Sequence, residues 1–114
     1  MKWMPFLVLA VFFMSQPYLG QIRQLPSSAD ELLLHVNIVN NNDEDWDDVK
    51  VSVYLYELGL FGRSSLIDVD DNTNDSVLVR IPAHYVMPGW YLAKISLIGE
   101  QGTIDVDYRD VEVI

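Results

Sequence analysis

The stretch DVDDNTNDS, residues 68–76, carries the side chains that bind calcium in many protein loops. Calcium takes about six to eight oxygen ligands, and alternate residues of a loop can present carboxylate and amide oxygens on one side. An EF-hand is excluded, because Thr73 stands where that loop needs glycine and Val79 where it needs glutamate. The predicted ligands of an irregular site are Asp68, Asp70 and Asn72. The alternative is an ordinary solvated turn between two strands.

A second acidic stretch, NNNDEDWDD at residues 40–48, could complete such a site. Its candidate carboxylates are Asp43, Asp45, Asp47 and Asp48. Calcium is thus the cofactor that the residue types suggest, on the condition that the two acidic loops meet in the fold.

The same region contains a match to the N-glycosylation sequon, Asn74-Asp75-Ser76. In an exported protein a polar loop is the expected place for a glycan, so Asn74 is a candidate attachment site. Aspartate in the middle position is a poor context for the reaction, and the motif is short enough to arise by chance.

Aromatic side chains form a third candidate site. Tyr54 and Tyr56 alternate with the valines of their segment, and Trp90 alternates with Tyr91 and Ala93. If the two segments are neighbouring strands, Tyr54, Tyr56 and Trp90 form an outward-facing patch of the kind found at protein–protein contacts. The alternative is that these aromatics only stabilise the sheet through cross-strand packing.

No constellation for catalysis is present in the sequence. The chain has no cysteine and no Gly-x-Ser-x-Gly nucleophile motif, and GLFGRSS lacks the spacing of a phosphate-binding loop. His35 and His84 have no neighbours at zinc-ligand spacing. We therefore expect a protein that is not an enzyme.

Composition narrows the choice of partners. The chain has 114 residues, enough for one domain, and 17 acidic residues against 7 basic ones give a formal charge of −10. Such a surface repels phosphate backbones, so nucleic acid is excluded as a partner. The absence of cysteine excludes disulfides but does not identify the compartment.

The N-terminus, MKWMPFLVLAVFFMSQPYLG, has the layout of a secretory signal: one lysine, an apolar run and then turn-forming residues. The apolar run is much shorter than the roughly 20 residues that cross a bilayer as a helix. We expect residues 1–20 to be a signal peptide or a short N-terminal anchor. The protein is then secreted or held at the cell surface, and it meets a membrane only if this segment remains uncleaved.

Beyond residue 31 the hydrophobic period is two, which is typical of half-buried strands. Residues 21–31 are predicted to be a tether or a first edge strand, and residues 32–114 a single domain. The predicted inward-facing residues include Leu32, Leu34, Val36, Ile38, Val49, Val51, Val53, Leu55, Val77, Val79, Ile81, Tyr91, Ala93, Ile95, Leu97, Ile104, Val106, Tyr108, Val111 and Val113. In the last strand the inward-facing residues change from even to odd numbers, which predicts a β-bulge at residues 109–110. Six or seven short strands separated by turns favour a single antiparallel β-sandwich.

Three segments support a resemblance to a known group: LHVNIVNNNDEDWDDVKVSVYL, SVLVRIPAHYVMPGWYLAKISL and VDYRDVEVI. They resemble the immunoglobulin-like, CARDB-type and fibronectin-like modules of microbial, including archaeal, cell-surface proteins. The shared features are a strand ending in asparagine, a Val-x-Val-x-Val strand and Pro88-Gly89-x-Tyr91 at the start of a later strand. Tyr91 is expected to pack inward and to bond a loop backbone, as in a tyrosine corner. The longer acidic turn at 40–48 departs from the pattern, in which glycine is usual.

These observations predict an exported, non-enzymatic structural or adhesion module that acts by protein–protein contact at a cell surface, with itself among the candidate partners. One alternative is a filament subunit that exchanges residues 21–31 with a neighbour. The other is a calcium-dependent ligand-binding module. The first requires that residues 21–31 lack a place in their own sheet, and the second requires loop oxygens that converge.

Overall fold

The computed structural model describes residues 16–25, 31–83 and 86–113. The predicted signal segment lies outside these ranges except for residues 16–20, and so do residues 26–30 and His84. Within the described ranges no helix is long and apolar enough to cross a membrane.

The described residues form eight β-strands, so the all-β prediction is confirmed. They are β1 (Tyr18–Leu25), β2 (Glu31–Asn40), β3 (Trp46–Leu55), β4 (Leu60–Arg63), β5 (Ile67–Val69), β6 (Thr73–Pro82), β7 (Gly89–Gly99) and β8 (Gly102–Val113). The predicted number was six or seven. β1 begins at Tyr18, so this strand runs across the predicted boundary at residue 20.

All strand pairs are antiparallel, and the strands follow the order β1-β2-β6-β4-β3-β7-β8, with β5 paired to β3 beside this path. The two ends of the path approach each other, because the backbone N–H of Leu19 in β1 donates to Asp105 Oδ2 in β8 at 2.9 Å. The sheet is therefore curled almost into a barrel. The predicted antiparallel class is confirmed, whereas the division into two facing layers of a sandwich is not shown.

Most of the core consists of the side chains that alternate along β2, β3, β6 and β7. Its fully buried members include Leu34, Val36, Ile38, Val49, Val51, Val53, Leu55, Val79, Ile81, Ala93, Ile95 and Leu97. These residues have the period of two that sends every second side chain to the same face of a strand. The inward face predicted for these four strands is thus confirmed.

The prediction for the last strand was wrong in its phase. β8 pairs with β7 in one continuous register from Val113 to Asp105, and the shift occurs next to Ile104 rather than at residues 109–110. Because Val111 and Val113 are buried, the same phase turns Val106 and Tyr108 outward, where they are 38% and 57% exposed. The inward positions are instead occupied by Asp105, Asp107 and Arg109, which are half-buried, and Arg109 forms an ion pair with Asp107.

The tyrosine expected to bond a loop backbone does so. The Tyr91 hydroxyl donates to the Met87 carbonyl oxygen at 2.7 Å, and its ring packs against the buried core. Gly89, between them, has φ +159°, which is extended backbone. The contact holds the turn before β7 against the start of that strand.

Candidate functional site

Exposed aromatic side chains form a row across four strands on the solvent side of the sheet. Tyr54 of β3 lies opposite Phe61 of β4 on one side and Lys94 of β7 on the other, and Lys94 lies opposite Tyr108 of β8. The three aromatic residues of this row are between 37% and 57% exposed. Cross-strand neighbours have Cβ atoms about 5 Å apart, so the rings and the lysine stem form one surface.

A second row continues this surface toward the start of β7. The backbone N–H of Tyr56 donates to the Leu92 carbonyl oxygen at 3.2 Å, which places these two residues side by side. Trp90 precedes Leu92 by two positions in β7 and is 64% exposed. The rings of Tyr54 and Tyr56 meet edge to face, with centroids 5.0 Å apart and planes at 86°.

We call this surface the outer face and define it by Tyr54, Tyr56, Phe61, Trp90, Leu92, Lys94 and Tyr108. The pairing of β3 with β7, on which the predicted patch depended, is present, and Tyr54, Tyr56 and Trp90 share the face. Phe61 and Tyr108 were missed. Tyr108 was assigned inward by the misplaced bulge, and Phe61 lies in a four-residue strand whose partner no local pattern identifies.

Most of the chain's positive charge lies on the same side of the sheet. Four of the seven Lys and Arg residues are Lys50, Arg63, Arg80 and Lys94, at outward positions of β3, β4, β6 and β7. The guanidinium of Arg63 stacks over the Phe61 ring, 5.1 Å from its centroid. Arg80 pairs with Glu31 at 2.9 Å. In the described part of the chain, neither lysine has a carboxylate within ion-pair distance.

The two acidic loops meet at one end of the curled sheet, as the calcium hypothesis required. Asn72 donates from its backbone to the Asn42 carbonyl oxygen at 3.0 Å and from its side chain to Asp43 at 2.9 Å. The backbone N–H of Asp71 donates to Asp45 at 2.7 Å. Asn72 adopts φ 52°, a left-handed conformation that asparagine tolerates well.

The three residues predicted to bind calcium make protein contacts, Asp68 and Asn72 through their side chains and Asp70 through its backbone carbonyl. Asp68 Oδ1 accepts from the backbone N–H of Asp48 at 3.1 Å, and the carbonyl oxygen of Asp70 accepts from the Asn40 and Thr73 side chains. These hydrogen bonds hold the two acidic loops together. Over the described residues, no three acidic or histidine side chains converge in a geometry that would hold a metal ion.

Crowding of carboxylates perturbs two groups at this end. The negative charge of Asp68 is the main cause that raises the pKa of Asp47, with smaller contributions from desolvation and from neighbouring aspartates. A hydrogen bond to Asp48 raises the pKa of Glu100, and the charge of Asp48 adds to the effect. Repulsion between negative charges is the main cause of the shift at Asp47 and a secondary cause at Glu100.

The sequon asparagine does not lie in a loop. Asn74 is the second residue of β6 and pairs with Val39 of β2. Its side chain is exposed, so a glycan there would project from the sheet rather than from a turn. Modification of Asn74 stays a prediction.

Comparison with known proteins identifies no family. No protein-family profile matches this chain, and no curated protein is similar to it at a significant level. One similar solved structure is the β-glucosidase from Kluyveromyces marxianus, with a TM-score of 0.41 and 9% identity over 85% of this chain and 14% of that one. Another is the GH20 exo-β-N-acetylglucosaminidase from Vibrio harveyi, with a TM-score of 0.39 and 13% identity over 88% of this chain and 18% of that one. The chain thus spans less than a fifth of either enzyme.

Proposed function

We propose that this protein is a non-enzymatic binding module that contacts a partner protein through its outer face. The observation that carries the proposal is the surface formed by Phe61, Tyr54, Trp90 and Tyr108 on neighbouring strands, together with Tyr56 directly after β3. Soluble monomeric proteins seldom expose so many large apolar side chains together, and such patches mark interaction sites.

Aromatic residues suit this role for two physical reasons. Each ring supplies a large apolar contact area, while its two side-chain torsions lose little entropy when a partner immobilises them. The edge-to-face contact of Tyr54 with Tyr56 restricts both rings before any partner arrives. A paired sheet beneath them is rigid, so little of the binding energy is spent on ordering the surface.

We place the module at a microbial cell surface, as a secreted or anchored immunoglobulin-like domain. The signal-like segment at residues 1–20, the period-two strands and the Tyr91–Met87 hydrogen bond support this assignment. The partner is a surface protein, or a second copy of this chain.

The filament alternative has less support. Residues Tyr18–Leu25 pair with β2 of the same chain as an edge strand, so the described part of the exchangeable segment occupies its own sheet. A strand already paired in this way must leave β2 before it can join a neighbour.

The proposal is tested by site-specific photo-crosslinking in the cells that produce the protein. A benzoyl-phenylalanine introduced at Tyr54 or at Trp90 is expected to give one discrete adduct, which mass spectrometry identifies as another protein or as this chain. The purified partner should then bind the wild type, and Trp90→Ala and Tyr108→Ala should each weaken the complex at least about tenfold, as loss of an aromatic anchor does.

The control probe replaces Asp71, which is exposed in the acidic loops at the other end of the molecule. Adducts of equal yield at Asp71 and Tyr54, or unchanged affinity after both alanine substitutions, would contradict the proposal. Thermal melts of each variant verify that the sheet remains folded.

A further inference from the structure

A groove of about 420 Å³ opens beside the outer face, between β6 and the segment that joins β4 to β5. Its lining includes Arg63, Ser65, Ser76, Leu78 and Arg80. The groove exists because β4 pairs with β6 at a single position, after which β5 pairs with β3 and the chain leaves β6. The N-terminal half of β6 therefore has β2 on one side and the groove on the other.

Two arginines stand directly opposite each other at the end of this groove. Arg63 and Arg80 are the cross-strand partners that join β4 to β6. Like charges at such a position destabilise a sheet unless something neutralises them. Gly62 permits the close approach, since a Cβ there would lie 2.4 Å from the Arg80 carbonyl oxygen. The strands thus place two arginine side chains side by side on one face of the sheet, at the end of the groove.

Only one of the two arginines forms an ion pair within the described ranges. Arg80 pairs with Glu31 at 2.9 Å, but its side chain remains 61% exposed. Arg63 stacks on Phe61 and has no carboxylate partner within the described ranges. The carboxylate of Asp75 accepts from the Ser76 backbone N–H at 2.8 Å, and strand alternation puts the two side chains on opposite faces of β6. The groove therefore keeps a local positive charge in a chain of formal charge −10.

We propose that this groove binds a carboxylate side chain from an acidic segment of the partner protein. Arg63 and Arg80 would donate charge-assisted hydrogen bonds to the carboxylate, a geometry for which guanidinium groups are well suited. The hydroxyls of Ser65 and Ser76 supply further donors, and Leu78 offers an apolar contact to the stem of the bound side chain. The inference rests on the proposed function, because Phe61 joins the groove to the outer face.

The negative net charge of the whole chain disfavours ligands that carry many negative charges. A nucleic acid or an anionic membrane presents many charges, which the 17 acidic residues repel over distances of about a Debye length, roughly 10 Å. A short acidic segment places one or two carboxylates within the local field of the arginines. A protein segment is therefore the favoured occupant.

The test is a titration of the ¹⁵N-labelled full chain with a capped octapeptide that contains two glutamates among valines and serines. We expect shifts of the Arg63 and Arg80 side-chain N–H signals and of the Ser76 amide, and none with the peptide in which glutamine replaces glutamate. Arg63→Ala should weaken binding by about tenfold, the loss expected for a charge-assisted pair, and Arg63→Lys should weaken it less. Lys50→Ala removes the same charge outside the groove and should change affinity less than about twofold.

Equal binding of the glutamine peptide, equal losses from Lys50→Ala and Arg63→Ala, or no binding would each overturn the inference. Acetate that binds as tightly as the peptide would overturn the assignment to a protein segment. Crosslinking at Tyr54 without peptide binding in the groove would support the outer-face function and refute only the proposal that the groove binds a carboxylate. Loss of both would remove both proposals, and melting curves of each variant show that the fold is intact.

Discussion

Asp105 of β8 accepts a hydrogen bond from the backbone N–H of Leu19 in β1, at 2.9 Å, and so joins the two ends of the sheet. A side chain thereby takes the place of a backbone ladder between these edge strands. The Leu19 side chain is 5% exposed, and it packs in the same core as β2 and β7. The contact therefore helps to hold the sheet in its nearly closed form.

Replacing Asp105 by alanine should lower the free energy of unfolding by about 1 kcal/mol, because a donor at the edge of the core loses its charged acceptor. Amide hydrogen exchange at Leu19 should accelerate in the same variant. Urea denaturation measures the first effect and NMR the second. Asp110→Ala removes an equal charge from the exposed side of β8 and serves as the control. Unchanged exchange at Leu19 in Asp105→Ala would show that this hydrogen bond does not hold β1.

Gly62→Ala should cost about 3 kcal/mol or more, because the added methyl would overlap the backbone of β6. The ideal Cβ position is 2.4 Å from the Arg80 carbonyl oxygen, a group that cannot rotate away. Gly20→Ala is a matched control, since its Cβ would meet a methyl of Val39 at 3.1 Å and a side chain can adjust. Thermal melts compare the two variants. Equal stability of both would contradict the close approach of β4 and β6.

The acidic loops should make stability depend on pH in a defined direction. The pKa values of Asp47 and Glu100 are raised in the folded state above their usual values of 3.8 and 4.5. The folded protein therefore binds these protons more tightly than the unfolded chain does. Their stabilising contribution is fully present below the unfolded pKa values and is lost as the pH rises through the folded ones.

Asp47→Asn and Glu100→Gln should consequently melt at a higher temperature than the wild type at pH 7. The difference should shrink as the pH falls toward the usual pKa values, because the wild-type groups then become protonated. Differential scanning calorimetry across this range, at constant ionic strength, measures the effect. A wild type that is the more stable protein at pH 7 would show that these carboxylates do not repel their neighbours.

Calcium should change the melting temperature no more than magnesium does at the same ionic strength. The reason is that one carboxylate oxygen of Asp68 and one of Asp45 already accept backbone hydrogen bonds, and the Asn72 side chain donates to Asp43. A specific site at 100 times its dissociation constant would instead stabilise the fold by about 2.7 kcal/mol. Such an increase with calcium, absent in Asp68→Asn, would establish the loops as a metal site and contradict this prediction.

The outer face illustrates which part of the site could be predicted. The alternation of Tyr54 and Tyr56 with buried valines is local, and it correctly put both rings on the solvent side. The other aromatic residues of the outer face could not be identified without knowing which strands pair. Phe61 joins the face only because β4 returns along β3, and Tyr108 only because the register shift of β8 falls next to Ile104.

The amino-acid sequence by itself determined the strand class, the core of β2, β3, β6 and β7, and the Tyr91 contact before β7, because a period of two and turn chemistry act between near neighbours in the chain. Only the tertiary structure decided the strand order, the meeting of the two acidic loops, the Asp105–Leu19 link and the Arg63–Arg80 pair. Each of these joins residues far apart in sequence, and a one-residue change of register reverses the face on which a side chain lies. Local patterns carry no information about such registers, so the charged groove between β6 and the segment that joins β4 to β5 emerges only from the assembled sheet.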